Sequence, residues 1–431
     1  MKIGYVGLGA MGGALAAHLV NAQDLLVWDI NPKTLRDFDK TGTLAAAALS
    51  DIGARCDIVL LCLPTSANVN DALFGKGGLA ETLRPGALVI DQTSGDPNKT
   101  KAFAATLAAR GVTLIDAPVA GGVPSAIAGQ VAIMASGPAA AYEKARPVFR
   151  TITPNVFHCS TQVGDGQSVK AINNMVNAAN RVASLEIVGI GRRMGLATAA
   201  MAEAVNAGPA KSFITNRLLP ALVDGGSSAT FALALMVKDV NQAAAIGVAA
   251  GVPTPMSDAA RGVMNIALNI LADGAVLDDM VPFMERLMKA SFVGAAAEVP
   301  AGIDHNRALD LIVNGMVACN RAVVIENTAV AVKAGLNAAD FSPVINAGSG
   351  ASAEAKLVFD YILGKGAGET RVIGDMIDVL TRLSELGAAN RVPMMMVNAA
   401  RSQYLACAKD LGRDATLDDM TGFFVEAKRQ V

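Results

Sequence analysis

The sequence predicts an α/β fold, a doubly wound parallel sheet, followed by two tandem all-α repeats. Three observations predict it. A glycine-rich turn, Gly7 to Gly12, stands between the first apolar run and the first helical stretch. Short buried strands then alternate with helices through residue 162, the pattern of a parallel sheet covered on both faces. From residue 163 onward strand signals vanish, helical periodicity dominates, and the chain repeats itself at a constant offset of 140 residues. The predicted domains are residues 1–162, 163–292 and 303–431, with a joint at 295–302.

Ile3–Val6 is the first strand, and an Ala/Leu helix runs from Gly13 to about Val20. Between them Gly7-Leu8-Gly9-Ala10-Met11-Gly12 is G-x-G-x-x-G in the strand–turn–helix context of a Rossmann-type dinucleotide site. Gly7 allows the tight turn, Gly9 lets backbone amides approach a pyrophosphate, and Gly12 lets the helix pack on the strand. The N-terminus of the helix then faces the phosphates. A second strand, Leu25–Trp28, ends in Asp29. A carboxylate there accepts hydrogen bonds from both ribose hydroxyls and repels a 2′-phosphate, which favours NAD over NADP.

Further strands are expected at Ile58–Leu63, Ala87–Asp91 and Thr113–Asp116, with a helix over Pro97–Arg110. Ligands of such sheets sit at the C-terminal strand edges. Leu63, Pro64, Thr65, Thr93 and Ser94 lie there and are candidates for the nicotinamide end. After Asp116 comes a run of small residues to Gly129, read as a crossover loop. At Ala120-Gly121-Gly122 it exposes backbone N–H groups in a concavity that suits an anion such as a carboxylate.

The helical half opens at Gly164-Asp165-Gly166. Lys170 and Asn174 follow at i and i+4, so both project from one face of an otherwise apolar helix. The repeat acts as an internal control. Asn180-Arg181 returns as Asn320-Arg321, Glu186 as Glu326, Asn206-Ala207-Gly208 as Asn346-Ala347-Gly348, and Leu277-Asp278-Asp279-Met280 as Leu417-Asp418-Asp419-Met420. Residues kept in both copies are expected to fold the unit. What changed is what chemistry needs: Lys170 becomes Asp310, Lys238 becomes Asp378, Gly166 becomes Asn306 and Phe231 becomes Arg371. Asn174 survives as Asn314, so the control does not single it out.

Four segments in this order, Gly7–Gly12, Asp116–Gly129, Gly164–Asn174 and Phe231 through Lys238-Asp239, resemble the β-hydroxyacid dehydrogenase family over roughly residues 1–291. The resemblance implies that Lys170 is the catalytic lysine and that Asn174 orients the substrate. It implies that Ala120-Gly121-Gly122 cradle the substrate carboxylate. It places Lys238 near nicotinamide and substrate, and Leu63-Pro64, Thr93 and Phe231 around the cofactor. Where the family usually has Ser, this chain has Ala120, so one hydroxyl contact is missing and a bulkier or less hydroxylated acid is expected. The duplicated helical part resembles that of long 6-phosphogluconate dehydrogenases, which implies an internal pseudo-dimer of the two copies within a homodimer. The second copy would supply walls to the cleft and catalyse nothing.

The chemistry of such a site needs a group that takes or gives the hydroxyl proton during hydride transfer. A free lysine has a pKa of about 10.4. An apolar cleft, or a positive neighbour such as Lys238, brings a lysine toward neutrality, where it serves as base or acid. A 6-phosphogluconate-type decarboxylating dehydrogenase is a second reading, but no cluster of Arg, Lys and His suited to a sugar phosphate stands out. An imine reductase-like enzyme usually lacks the lysine. A cofactor-binding sensor would bind without turnover. Of 431 residues 52% are hydrophobic and 17% charged, with a net charge of -2 and no basic stripe, which argues against nucleic acid as a partner. No uninterrupted apolar run approaches membrane-spanning length, and a strand begins at once, leaving no room for a signal peptide. Five cysteines without C-x-x-C spacing and three scattered histidines fit a cytoplasmic protein without a metal site.

Overall fold

The computed structural model describes residues 2–20, 24–39, 43–293, 304–366 and 368–425. The predicted joint at 295–302 lies outside them. The chain divides into two compact units, Met1–Ala171 and Ile172–Val431, so both helical copies belong to one unit.

In the first unit the strands are β1 (Lys2–Val6), β2 (Asp24–Trp28), β3 (Leu44–Ala45), β4 (Ile58–Leu61), β5 (Leu88–Asp91), β6 (Thr113–Asp116), β7 (Val119–Ala120), β8 (Ala132–Ser136) and β9 (Val156–Ser160). They form one sheet in the order β3-β2-β1-β4-β5-β6-β8-β7, with β9 on β8. The order reverses direction between β1 and β4, which opens a crevice at their C-terminal ends. Alternate residues of each strand feed opposite cores. Ile3, Tyr5, Ile58, Leu60 and Ile90 face one. Val6, Val59, Leu61 and Val89 face the other.

Three expectations change. The sheet is parallel from β3 to β6, but β8 runs antiparallel to β6 and β7. The predicted loop after Asp116 contains β7 and a short helix, Gly122–Ile127, because Val119 and Ala120 pair with Ile133 and Ala132. The first helix spans Ala10–Ala17, starting three residues earlier than expected with Gly9 as its N-cap.

In the second unit the repeat is visible as geometry. The helix Asp165–Arg193, which runs through the division at Ala171, and the helix His305–Lys333 both have 29 residues and sit 140 apart in sequence. Leu233–Ala250 and Ile373–Asn390 correspond in the same way. The copies pair around a pseudo-twofold: Ser212 and Ser352, themselves equivalent, form an antiparallel bridge. The N–H of Phe213 donates to the carbonyl of Ala351, and that of Ala353 to the carbonyl of Lys211. The internal pseudo-dimer expected from the repeat is therefore present. Leu233–Ala250 and His305–Lys333 are long and apolar enough to cross a membrane, yet 72% of the apolar window of the second is buried within the protein.

Arg181 and Arg321 carry the structural role their persistence suggests. Arg181 donates to Ser228 Oγ at 3.1 Å and lies 3.6 Å from Asp278. Arg321 donates to Asp418, the equivalent of Asp278, at 2.8 Å. All five cysteines are free thiols. His18 and His158 sit beside the carbonyls of Ala126 and Gly137 at 2.7 and 3.1 Å.

Candidate active site

The glycine-rich turn has the geometry its sequence requires. Gly7 adopts φ +93°, and a Cβ there would stand 2.3 Å from the carbonyl oxygen of Cys62. A Cβ on Gly12 would stand 2.0 Å from the carbonyl oxygen of Gly7, so the helix approaches the turn as only glycine allows. Gly9 differs: a Cβ there would meet nothing within 4 Å, and no side chain caps the helix. Gly9 and Ala10 are exposed. The start of the helix is thus open, with the positive end of the helix dipole behind it, which fits a pyrophosphate.

Asp29 stands at the end of β2. The N–H of Leu8 donates to its Oδ2 at 2.7 Å and that of Asn31 to its Oδ1 at 2.7 Å. The carboxylate is thereby locked to the glycine-rich turn, with lone pairs left for the two hydroxyls of a ribose. Across the crevice Thr93 is buried; its Oγ1 accepts from the N–H of Leu63 at 3.1 Å. Leu63 is half-buried and Pro64 exposed at the rim. Ala120 ends β7, and Gly121 and Gly122 follow with φ of +131° and +74°.

A cluster that sequence reasoning missed positions the Lys170 helix. The carboxylate of Asp116, at the end of β6, is fully buried beneath the start of that helix. It accepts from the N–H of Gly164 at 2.6 Å, the N–H of Gln167 at 2.8 Å and Ser136 Oγ at 2.6 Å. Gln167 Nε2 reaches on to Asp91 Oδ2 at 3.2 Å and the Thr93 carbonyl at 3.1 Å. Burial pushes the Asp116 carboxyl up to about 7, against the pull of its donors, and that of Asp91 to about 6. Both aspartates stood out in the sequence only as strand ends, and an acid there gives no sign of being buried.

Lys170, 7% exposed, lies one turn beyond this anchor. Its counterpart Asp310 is exposed. In the second unit Asn174, on the same helix, is 6% exposed and donates from Nδ2 to Asp239 Oδ2 at 2.6 Å. Lys238 Nζ lies 3.3 Å from Asp239 Oδ1, so part of its charge is offset. Asn314, the counterpart of Asn174, bonds only back to its own helix at the Asp310 carbonyl, 2.9 Å, among the bonds of the described residues. The two asparagines thus have different surroundings despite their common origin. Phe231 is half-buried; its carbonyl accepts from the N–H of Leu277 at 2.9 Å. Among the described residues no group of three or more His, Cys, Asp or Glu is placed to hold a metal ion.

The sequence model of the NAD-binding domain of 6-phosphogluconate dehydrogenase matches residues 2–162. That described as NAD-binding of NADP-dependent 3-hydroxyisobutyrate dehydrogenase matches twice, at 164–282 and 307–423, once for each copy. L-threonate dehydrogenase of Cupriavidus necator is 31% identical over 267 residues, 62% of this chain and 90% of that protein. The crystal structure of 3-hydroxyisobutyrate dehydrogenase from Salmonella typhimurium is 28% identical, with a TM-score of 0.54, over 62% of this chain and 94% of that one. The 6-phosphogluconate dehydrogenase of Plasmodium falciparum shares the fold over 94% of this chain and 92% of its own, with a TM-score of 0.70 at 14% identity. The fold and the cofactor crevice define an oxidoreductase that uses a nicotinamide nucleotide. The chain belongs to the β-hydroxyacid dehydrogenase family, with an extended and duplicated helical region.

Proposed function

We propose that this protein interconverts a 3-hydroxy acid and its semialdehyde or 3-keto acid, with NAD as the preferred cofactor and Lys170 as general acid/base. The observation that carries the reading is the burial of Lys170 on a helix whose first turn is fixed by Asp116, beside the exposure of its counterpart Asp310. Lysine belongs to the residue types that are mostly exposed, and here the buried lysine stands where the second copy keeps an exposed aspartate. Family membership and the names of the relatives support the substrate class.

The nicotinamide, when bound, accepts or returns the hydride. The remaining work falls to the chain. Gly7–Gly12 and the uncapped helix start hold the pyrophosphate, and Asp29 holds the ribose. Thr93, Leu63, Pro64, Phe231 and Lys238 are assigned to the rest of the cofactor, Lys238 also to the substrate. In oxidation, neutral Lys170 takes the hydroxyl proton as the C–H bond loses hydride; in reduction its ammonium gives that proton back to the carbonyl oxygen. Asn174, pinned by Asp239, orients the substrate hydroxyl, and the backbone N–H groups at Ala120–Gly122 receive the carboxylate. Ala120 offers no hydroxyl, which favours an acid with an alkyl or aryl substituent at C2 or C3.

The test is reduction of NAD and NADP, followed by absorbance, over a panel of 3-hydroxy acids including alkyl- and aryl-substituted members. Turnover with NAD on at least one acid is the expected result. Binding of cofactor with no turnover on any of them would replace this reading with that of a decarboxylating dehydrogenase, an imine reductase-like enzyme or a sensor.

A further inference from the structure

The second copy reaches onto the chemical helix of the first. Its turn Gly348-Ser349-Gly350 packs against Asn173 and Asn177, both on that helix. Asn173 Nδ2 donates to Ser349 Oγ at 2.9 Å, and the N–H of Gly350 donates to Asn173 Oδ1 at 2.9 Å. Asn177 Nδ2 donates to the Ser349 carbonyl at 3.2 Å. A Cβ on Gly348 or Gly350 would fall 2.8 or 3.0 Å from Asn173 Oδ1, so the glycines permit the approach. Asn173 then donates to Asn174 Oδ1 at 3.4 Å, Asn174 to Asp239 at 2.6 Å, and Asp239 pairs with Lys238. Hydrogen bonds and a final ion pair thus run unbroken from Ser349 to the two residues assigned to the substrate.

The repeat shows that this chain is not a requirement of folding. At the pseudo-symmetric contact Ser349 is replaced by Pro209, Asn173 by Val313, Asn177 by Val317 and Asp239 by Val379. Polarity has been kept, or gained, only on the side that carries Lys170. The turn also departs from symmetry: Asn320 bonds the Ala210 carbonyl at 3.1 Å, but neither amide atom of Asn180, its equivalent, has a hydrogen-bond partner. The Oδ1 of Asn177, in a residue only 6% exposed, also lacks one. Asn180 forgoes its bond while Asn173 and Asn177 gain theirs.

We propose that Ser349 is a positioning residue of the hydroxy-acid site, contributed by the second copy and acting through Asn173 on Asn174. The proposal rests on the hydroxy-acid reading above. Asn174 must present one amide edge to the substrate, and its orientation is set from both sides, by Asp239 and by Asn173. Removing the Ser349 hydroxyl takes away the bond that fixes Asn173 Nδ2, leaves the amide held at Oδ1 by the Gly350 N–H, and so loosens one of the two.

The experiment compares wild type, Ser349→Ala, Ser349→Thr and Pro209→Ser, the last adding a hydroxyl at the exposed pseudo-symmetric position. Steady-state constants for acid and cofactor are measured beside thermal unfolding. Ser349→Ala is expected to lower kcat/KM for the acid about tenfold, or about 1.4 kcal/mol. The KM for cofactor and the Tm stay at wild-type values, Ser349→Thr recovers most of the loss, and Pro209→Ser behaves as wild type. Unchanged constants in Ser349→Ala overturn the proposal. So does a loss shared by the cofactor KM and the Tm that Thr does not repair, which marks a structural contact. Wild type inert on every acid removes the hydroxy-acid reading, and the proposal with it.

Discussion

Glu186 and Glu326 occupy the same place in the two copies, and each caps a helix of the other copy. Glu186 accepts from the N–H groups of Met396 and Val397 at 3.2 and 2.9 Å, and Glu326 from those of Met256 and Ser257 at 2.8 Å each. Both carboxyls thus sit at helix N-termini, where the dipole favours negative charge. Burial outweighs this and pushes both up from 4.5 to about 7. The exchange fastens the two copies to each other reciprocally, and it explains why both glutamates persist while the lysines do not.

A pH dependence follows from these values. A carboxyl whose folded pKa lies above its unfolded value stabilises the fold while protonated. That stability is complete below about 4.5 and is lost as pH rises through about 7. Asp91 and Asp116 add the same sign. The Tm is expected to be higher at pH 5 than at pH 8, and the double variant Glu186→Gln, Glu326→Gln to flatten the difference. A Tm that rises across this interval would contradict the assignment.

Lys170 gives the sharpest kinetic prediction. A positioned acid/base contributes about 10²–10⁴ in rate. Lys170→Ala is expected to lower kcat by that order while cofactor affinity holds, because the pyrophosphate cradle lies on other elements. Lys170→Arg keeps the charge yet cannot take a proton at any working pH, so it should fail as well. Near-normal turnover in the arginine variant would show that charge, not proton transfer, is what the site uses.

Asp29 carries the proposed preference for NAD. Its carboxylate is fixed by Leu8 and Asn31, so it cannot swing away from a 2′-phosphate without losing two bonds. NAD is expected to be preferred over NADP by more than tenfold in kcat/KM. Asp29→Asn retains an acceptor for the Leu8 N–H and removes the charge, and it should narrow that ratio by about tenfold, or about 1.4 kcal/mol. A wild-type preference for NADP would overturn the assignment of the ribose site.

The parts legible in the sequence were those where chemistry and backbone geometry coincide at short range. Gly7–Gly12 could be read because a positive φ and two close approaches leave no alternative to glycine. Lys170 and Lys238 stood out because the second copy carries Asp310 and Asp378 in their places. The antiparallel β8 could not: Ala132–Ser136 is a short apolar run with no signal for its direction. Nor could the contact of Asn173 with Ser349, 176 residues apart, since nothing local distinguishes an asparagine that meets a distant turn from one that faces water. Asp116 was hidden for the same reason.

Gly166 shows how closely the two copies were divided between scaffold and chemistry. A Cβ there would lie 2.2 Å from the carbonyl oxygen of Met134 and 2.9 Å from Asp116 Oδ2, so the first turn of the Lys170 helix rests directly on β8. The second copy has no strands of its own among the described residues. It carries Asn306 at this place and satisfies its helix start with its own N-cap, Asp304, which accepts from the N–H groups of Asn306 and Arg307 at 3.0 and 3.1 Å. Gly166→Asn therefore forces the helix start off β8 and breaks the bonds from Gly164 and Gln167 to Asp116. Overpacking of this kind costs about 1–3 kcal/mol, and each orphaned group adds to it. Turnover should fall further than stability, because Lys170 lies one turn along the displaced helix. The reverse change, Asn306→Gly, meets no such contact and should cost at most about 0.5 kcal/mol through helix propensity. Denaturant unfolding and kcat measured on both variants separate the two cases. Equal, small effects on both would mean that the sheet does not hold the catalytic helix in register.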